Sequence, residues 1–468
     1  MLTVIFLPLL IISLLFTFYK GLNKGVFLAI SFAFSIPSYM PVFFIAGLPI
    51  ISFNRVLSIL LFLAVIAIRW KKSIRDINKF PLFFSYKLIL AIVAISAFFS
   101  FGEAYFSMNV NLVLSMFFDY FIPSLLLWCF IETEKDLQTL TKYINYSMIL
   151  VIAYGLITYF ISYNPIVDFF KYNNPFPNSK IVFADFSDKM RGNVKGRLQA
   201  YYANAILYGG VLALHMVFSF LFLASDYTKI FRKNKTVVLI TMMGCVLSLF
   251  LINSRSSLVC MFASLFVVVL LGKLKQSLQL LLTGCTLMIV IFLFFGDLLE
   301  NYMPTINNIF SLGKEGNVSG SSFEMRYMQF YSAMAIFLKK PLFGWGFNYI
   351  QYLLEAGKTG DLLGAESILF QVMISGGITG LLVYIIWYYK VYSSLFTYFR
   401  KYKSYAAVIG IALFTGYLSF CILTGDLGLM KYILIYLTII YKLNVIHHKN
   451  KRRPRPVVNV NSVQLAVN

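Results

Sequence analysis

Arg197 opens the run RLQAYYANAILYGG, Arg255 interrupts LFLINSRSSLVCMF between two apolar stretches, and Glu366 begins ESILFQVMISGGITGLLVY. Each stands at the edge of a segment otherwise fit for a bilayer. An ionisable residue is expensive to place there and is a functional hypothesis by default. Arg326 joins them from a long polar passage, at the edge of an aromatic stripe with helical spacing. Guanidinium groups grip phosphate oxygens in bidentate fashion, and three of them could hold a pyrophosphate without a metal. A carboxylate nearby could take a proton from a sugar hydroxyl. Plainer readings stand beside these. Arg255 could mark a tight turn, Arg197 could anchor at lipid headgroups, and Arg326 could be a solvated charge. Glu366 could be a helix-start charge favoured by the macrodipole.

Aromatic residues thicken the same face: Tyr201, Tyr202, Tyr327, Tyr331, Trp345, Phe347 and Tyr349. Ring faces suit the apolar faces of sugars; the alternative is an interfacial aromatic belt. Asp119, deep in FFDYFIPSLLL, could pair with a buried cation, be protonated, or relay protons. Other chemistries find no residues. His215 stands alone and His447-His448 fall in the tail, so no metal cluster is expected. No GxGxxG or Walker loop occurs, so neither of those nucleotide sites is expected, and no cofactor is implied. Gly344-Trp345-Gly346 reads as a turn, and Asn317-Val318-Ser319 matches a glycosylation sequon that arises often by chance.

The elements that must hold these residues are membrane helices. Of the 468 residues, 60% are hydrophobic and 12% charged. With roughly 20 apolar residues needed per span, about thirteen candidates are counted, from 1–19 to 427–446. The second and third, 25–46 and 50–69, are punctuated by Pro37, Pro41 and Pro49. The fold predicted is all-α: a polytopic integral membrane protein of about 12–14 transmembrane helices. One membrane domain covers 1–446 and a basic tail covers 447–468. Long external loops fall at about 164–197 and 298–363, a length uncommon unless functional or disordered. In the second, Phe323, Tyr327, Phe330, Met334 and Phe337 form one face of a helix from about 322 to 338. Lys339-Lys340-Pro341 ends it, Pro341–Phe347 turns, and a short helix follows at about 348–356. Such helices would lie along the outer interface and roof a cavity.

The net charge of +22 invites a nucleic-acid reading that its distribution rejects. Lys and Arg gather in alternate loops, around Arg69–Lys79, Lys229–Lys235, Arg400–Lys403 and the tail. That is the positive-inside pattern, which places both long loops outside the cytoplasmic membrane. All five cysteines fall within predicted spans as small core residues.

Four pieces in order resemble the O-antigen polymerase and O-antigen ligase superfamily of bacterial envelope polysaccharide assembly. They are RLQAYYANAILYGG, INSRSSLVCMFASLFVVVLL, MRYMQFYSAMAIFLKKPLFGWGFNYI with its Pro-x-x-Gly-x-Gly turn, and ESILFQVMISGGITGLLVYIIWYY. The resemblance implies a GT-C-like membrane glycosyltransferase that polymerises undecaprenyl-pyrophosphate-linked oligosaccharide at the outer face of the cytoplasmic membrane. A chain-length regulator and a flippase are implied as neighbours. Glu366, Arg255 and Arg326 would be catalytic; Arg197, Tyr201, Tyr202, Trp345 and Tyr349 would bind substrate. Ligases of this type carry a histidine at the start of the last piece, in a His-Asn-Ser-like run. Here Glu366-Ser367 holds that register, which favours the polymerase. A ligase, and a flippase or transporter of lipid-linked sugar, are the alternatives.

Overall fold

The computed structural model describes residues 2–36, 41–43, 51–166, 168, 198–202, 204–223, 235–252, 254–273, 282, 284, 286, 323–362 and 365–452. Among them the elements are helices, apart from one short antiparallel pairing of Pro41–Phe43 with Ile51–Ser52. The helices are α1 Leu2–Lys20, α2 Leu22–Ser35, α3 Phe53–Ile77, α4 Phe83–Phe98, α5 Phe106–Phe130, α6 Glu134–Ile161 and α7 Ala205–Leu223. There follow α8 Lys235–Ile252, α9 Arg255–Leu271, α10 Phe323–Phe337, α11 Tyr349–Glu355, α12 Ile368–Tyr402, α13 Tyr405–Thr424 and α14 Met430–Arg452. Seven of the described helices are long and apolar enough to cross a membrane, and α2, α4 and α9 are shorter apolar helices. The predicted span 25–46 is corrected. Its helix stops at Ser35, and Pro41 begins a strand, because proline cannot donate to a helix ladder. The predicted span 280–297 lies largely outside the described residues.

Local chemistry sets the boundaries. Ser52 caps α3 by accepting the Arg55 N–H, and Thr133 with Asp136 forms a capping box on α6. α14 is the axis of the bundle: Ile433 to Tyr441 are buried without interruption, and Tyr436 packs on Phe34, Phe218 and His215. His215 is a satisfied core residue, its ring nitrogens 2.8 Å from the Tyr436 hydroxyl and 3.3 Å from Asn145 Oδ1.

Ion pairs mark the two ends. At one end Lys72 meets Glu132 at 2.7 Å and Arg69 meets it at 3.5 Å; this is the basic end. At the other, Lys340 meets Glu103 at 3.2 Å, joining the segment after α10 to the turn between α4 and α5. This loop end carries Arg326, Trp345, Tyr349 and Glu366.

Two helices are interrupted on their way through. α5 widens to a π-turn at Met116–Phe121, and α12 breaks at Gly377, whose φ is +63°. The break is stitched by the turn after α10. Ile374 and Ser375 carbonyls accept the N–H groups of Trp345 and Gly346, and the Pro341 and Leu342 carbonyls accept those of Ile378 and Thr379. Backbone groups freed inside a bilayer-sized helix must find partners in the protein, and here the turn supplies them.

Candidate active site at the loop end

Arg326 ties three elements together. From α10 its Nη2 lies 3.3 Å from Glu366 Oε2 and donates to the Leu423 carbonyl at 2.5 Å, while Nη1 donates to the Glu366 carbonyl. Leu423 is at the end of α13, and Glu366 is two residues before α12. The next residue, Ser367, caps α12 by accepting the Leu369 N–H. The arginine side chain is 26% exposed and the glutamate 45%. A pair so open to solvent is worth about 0–1 kcal/mol. An anion with more negative charge than one carboxylate can therefore displace the Glu366 carboxylate from the guanidinium at small cost.

The helix read from the sequence at about 322–338 is present as α10, and its aromatic stripe is divided between exposed and partly buried positions. Tyr327 and Phe330 are exposed, at 52% and 41%, and Met334 is half-buried. The Phe323 side chain lies outside what the structure describes. The buried residues are Gln329 and Ala333, on the side of Arg326. Apolar periodicity finds the buried face when water lies outside; beside a bilayer the apolar face can turn to lipid and leave the polar face inward.

Arg255 is the first residue of α9 and is exposed, with Ser254 capping the helix through the Ser257 N–H. α9 packs antiparallel on α13, and Gly416 sits against Cys260 and Ser264 with no room for a Cβ. At 1.5 Å per residue, Arg255 is about 7.5 Å up from Cys260 and Leu423 about 10.5 Å up from Gly416. Arg255 and the Leu423 carbonyl that holds Arg326 therefore stand within about one helical turn in height. Arg197 lies outside the described residues.

The aromatic candidates divide. Trp345 stacks on Tyr349 with centroids 4.8 Å apart, donates Nε1 to the Ile336 carbonyl at 3.0 Å and carries Lys340 Nζ 4.1 Å from its ring centre. Burial first, then the Glu103 and Tyr352 charges, push the Tyr349 hydroxyl above the usual phenol range, so it remains a neutral donor. Tyr201 and Tyr202 are 7% and 6% exposed and stacked on each other; the Tyr202 hydroxyl donates to the Phe34 carbonyl at 2.9 Å. The structure thus places these two in the core, where they pack the approach to α7.

Sequence reasoning missed three polar groups near this end. The turn between α13 and α14 holds Asp426, whose Oδ1 accepts the Gly428 and Met430 N–H groups while Oδ2 accepts the Tyr417 hydroxyl at 3.2 Å. Its own N–H donates to Gln371 Oε1 on α12 at 3.2 Å. Burial raises the Asp426 carboxyl above its ordinary value, and these donors offset part of the rise. Arg55 grips Asp119 with Nη2 to Oδ2 at 2.7 Å and Nε to Oδ1 at 3.3 Å, adding Ser115 Oγ at 2.5 Å. Of the three readings of Asp119, pairing with a buried cation is the one observed. Lys431, in the first turn of α14, is also buried. Arg55 and Lys431 escaped notice because each was counted inside an apolar run; the Gly-Asp-x-Gly punctuation around Asp426 was the available signal.

Residues 237–385 match the family model described as O-antigen ligase. The match runs from α8 to beyond the break in α12 and includes Arg255, Arg326, Trp345, Tyr349 and Glu366. A search of curated proteins finds no match.

Proposed function

We propose that this chain is a polymerase of lipid-linked oligosaccharides, a reading supported by the match of residues 237–385 to the O-antigen ligase family model. The loop end faces the outside of the bacterial cytoplasmic membrane, as the distribution of Lys and Arg supports. The substrates are undecaprenyl-pyrophosphate-linked repeat units. The growing glycan passes from its carrier to a hydroxyl at the non-reducing end of a new unit.

The observation that carries this reading is the exchangeable Arg326–Glu366 pair at the head of the broken helix α12. The pyrophosphate of the donor takes the donors of Arg326, and Arg255 and Arg197 join it. Glu366 is then released to receive the proton of the attacking hydroxyl. The hydroxyl oxygen bonds to the anomeric carbon from the face opposite the carrier, so the configuration inverts. The carbon–oxygen bond to the pyrophosphate breaks, and its electron pair stays on the phosphate oxygen. Cations fixed in advance at the place where that charge develops are the largest device available for stabilising such a leaving group. Trp345 and Tyr349 offer ring faces and a neutral hydroxyl to the sugar.

Glu366 in the register where ligases carry histidine favours the polymerase over the ligase. The test is complementation of a deletion strain. Arg255→Ala and Arg326→Ala should be made at wild-type level yet lose long-chain polysaccharide, leaving a single repeat unit on the acceptor. Full-length ladders from both variants would sink the assignment, and loss of even the single unit would turn it to a ligase.

A further inference from the structure

Lys431 stands in a place that disfavours a cation three times over. It is 5% exposed. It lies in the first turn of α14, where the positive end of the helix dipole repels it. Among the described residues no carboxylate is within ion-pair distance of it; its ammonium meets only the Tyr432 ring, 4.8 Å from the centroid. The carboxylates on adjoining elements are engaged elsewhere. Asp426 is spent on the N–H groups of Gly428 and Met430 and the Tyr417 hydroxyl, and Asp119 on Arg55. A buried ammonium without an anion costs far more than one ring contact returns. An uncompensated buried cation is, however, what an incoming anion needs, since pairing removes the cost of leaving the charge alone.

The surroundings locate the site. The π-turn of α5 packs on α14, and the Tyr120 hydroxyl lies 3.6 Å from where a Cβ on Gly428 would stand, one turn before Lys431. Only six residues separate Lys431 from Thr424, the last residue of α13, whose neighbour Leu423 holds Arg326. We propose that Lys431 is a second anion-binding station, separate from Arg255 and Arg326, for the phosphate or pyrophosphate of a lipid-linked substrate. This rests on the polymerase reading in one respect: joining two carrier-linked units calls for a place for each carrier's phosphates.

The test is thermal unfolding of the full chain in detergent, alone and with undecaprenyl pyrophosphate, inorganic pyrophosphate or phosphatidylglycerol. Without ligand, Lys431→Met should unfold several degrees above the wild type, because it removes an uncompensated charge. Undecaprenyl pyrophosphate should raise the midpoint of the wild type and, by less, of Arg326→Ala. The rise should vanish in Arg326→Ala/Lys431→Met and persist in Arg326→Ala/Lys431→Arg. A response to inorganic pyrophosphate that depends on Lys431 also supports the station and shows that the lipid tail is dispensable. A midpoint of Lys431→Met below the wild type would overturn the proposal. So would an equal response in Arg326→Ala with and without Lys431→Met, or a Lys431-dependent response to phosphatidylglycerol alone, which would make the occupant a structural lipid. Failure of the polymerase reading would show instead in the polysaccharide ladders and leave these midpoints unchanged.

Discussion

At the scale of single residues, two arginine–carboxylate pairs of the same chemistry have opposite uses because burial differs. Arg326 and Glu366 are open enough to part, whereas the side chains of Arg55 and Asp119 are only 9% and 10% exposed. Removing one partner of a buried pair strands a charge and costs about 3–5 kcal/mol, while replacing both with apolar residues is often neutral. Asp119→Leu and Arg55→Met should each lower the unfolding midpoint sharply in detergent, and the double variant should recover most of the loss. A double variant as unstable as the sum of the singles would mean that the two residues do not act as a pair. The same contrast explains what could be read from the chain alone. Arg255 and Glu366 were legible because each stands where an apolar run begins or ends, and Arg326 because it edges an aromatic stripe of helical spacing. Arg55 and Lys431 were not, because a hydropathy window averages one charge into its apolar neighbours and carries no information on which other helix supplies a partner.

At the scale of elements, the segment Pro341–Gly346 and the break in α12 form one device. Helix α12 could not open at Gly377 without backbone partners, and the turn could not hold its shape without the break to bond to. The turn was visible beforehand at Gly344-Trp345-Gly346, but the break at Gly377 and its pairing with the turn were not, since the two lie more than thirty residues apart. A Cβ at Gly377 would meet the Pro341 and Leu342 carbonyl oxygens at 2.5 Å, and one at Gly346 would collide with the Asn109 amide. Asn109 has its own duties, since its Oδ1 accepts the Asn348 N–H at 2.8 Å and its Nδ2 donates to Ser100 Oγ at 2.8 Å. Gly377→Ala and Gly346→Ala should each cost at least the roughly 1–3 kcal/mol of a forced backbone conformation. The turn should also become open to protease around Lys339-Lys340 while the remaining helices stay protected. Uniform loss of protection across the chain would show that the device supports the whole bundle and not the site alone.

At the scale of the whole molecule, the two ends differ in charge, and orientation in the membrane decides whether the site can meet an exported glycan. The basic end gathers Arg69, Lys72, Arg400, Lys401 and Lys403; the loop end gathers Glu103, Glu366 and Asp426 beside its few arginines. A membrane whose inner side retains positive loops fixes that difference as a direction. The prediction is direct because Cys129, Cys245, Cys260 and Cys421 are all buried, which leaves Cys285, outside the described residues, as the one to replace with serine. In that background a cysteine at Lys340 or Glu103 should react with a membrane-impermeant maleimide on intact spheroplasts. A cysteine at Lys72 or Glu132 should react only after the membrane is broken. These four positions form two ion pairs, one at each end, so each face is sampled from two different elements. Labelling of Lys72 and not Lys340 in intact spheroplasts would turn the molecule over. Arg326 and Glu366 would then face the cytoplasm, where lipid-linked units are built before export, and the polymerase reading would fail with them.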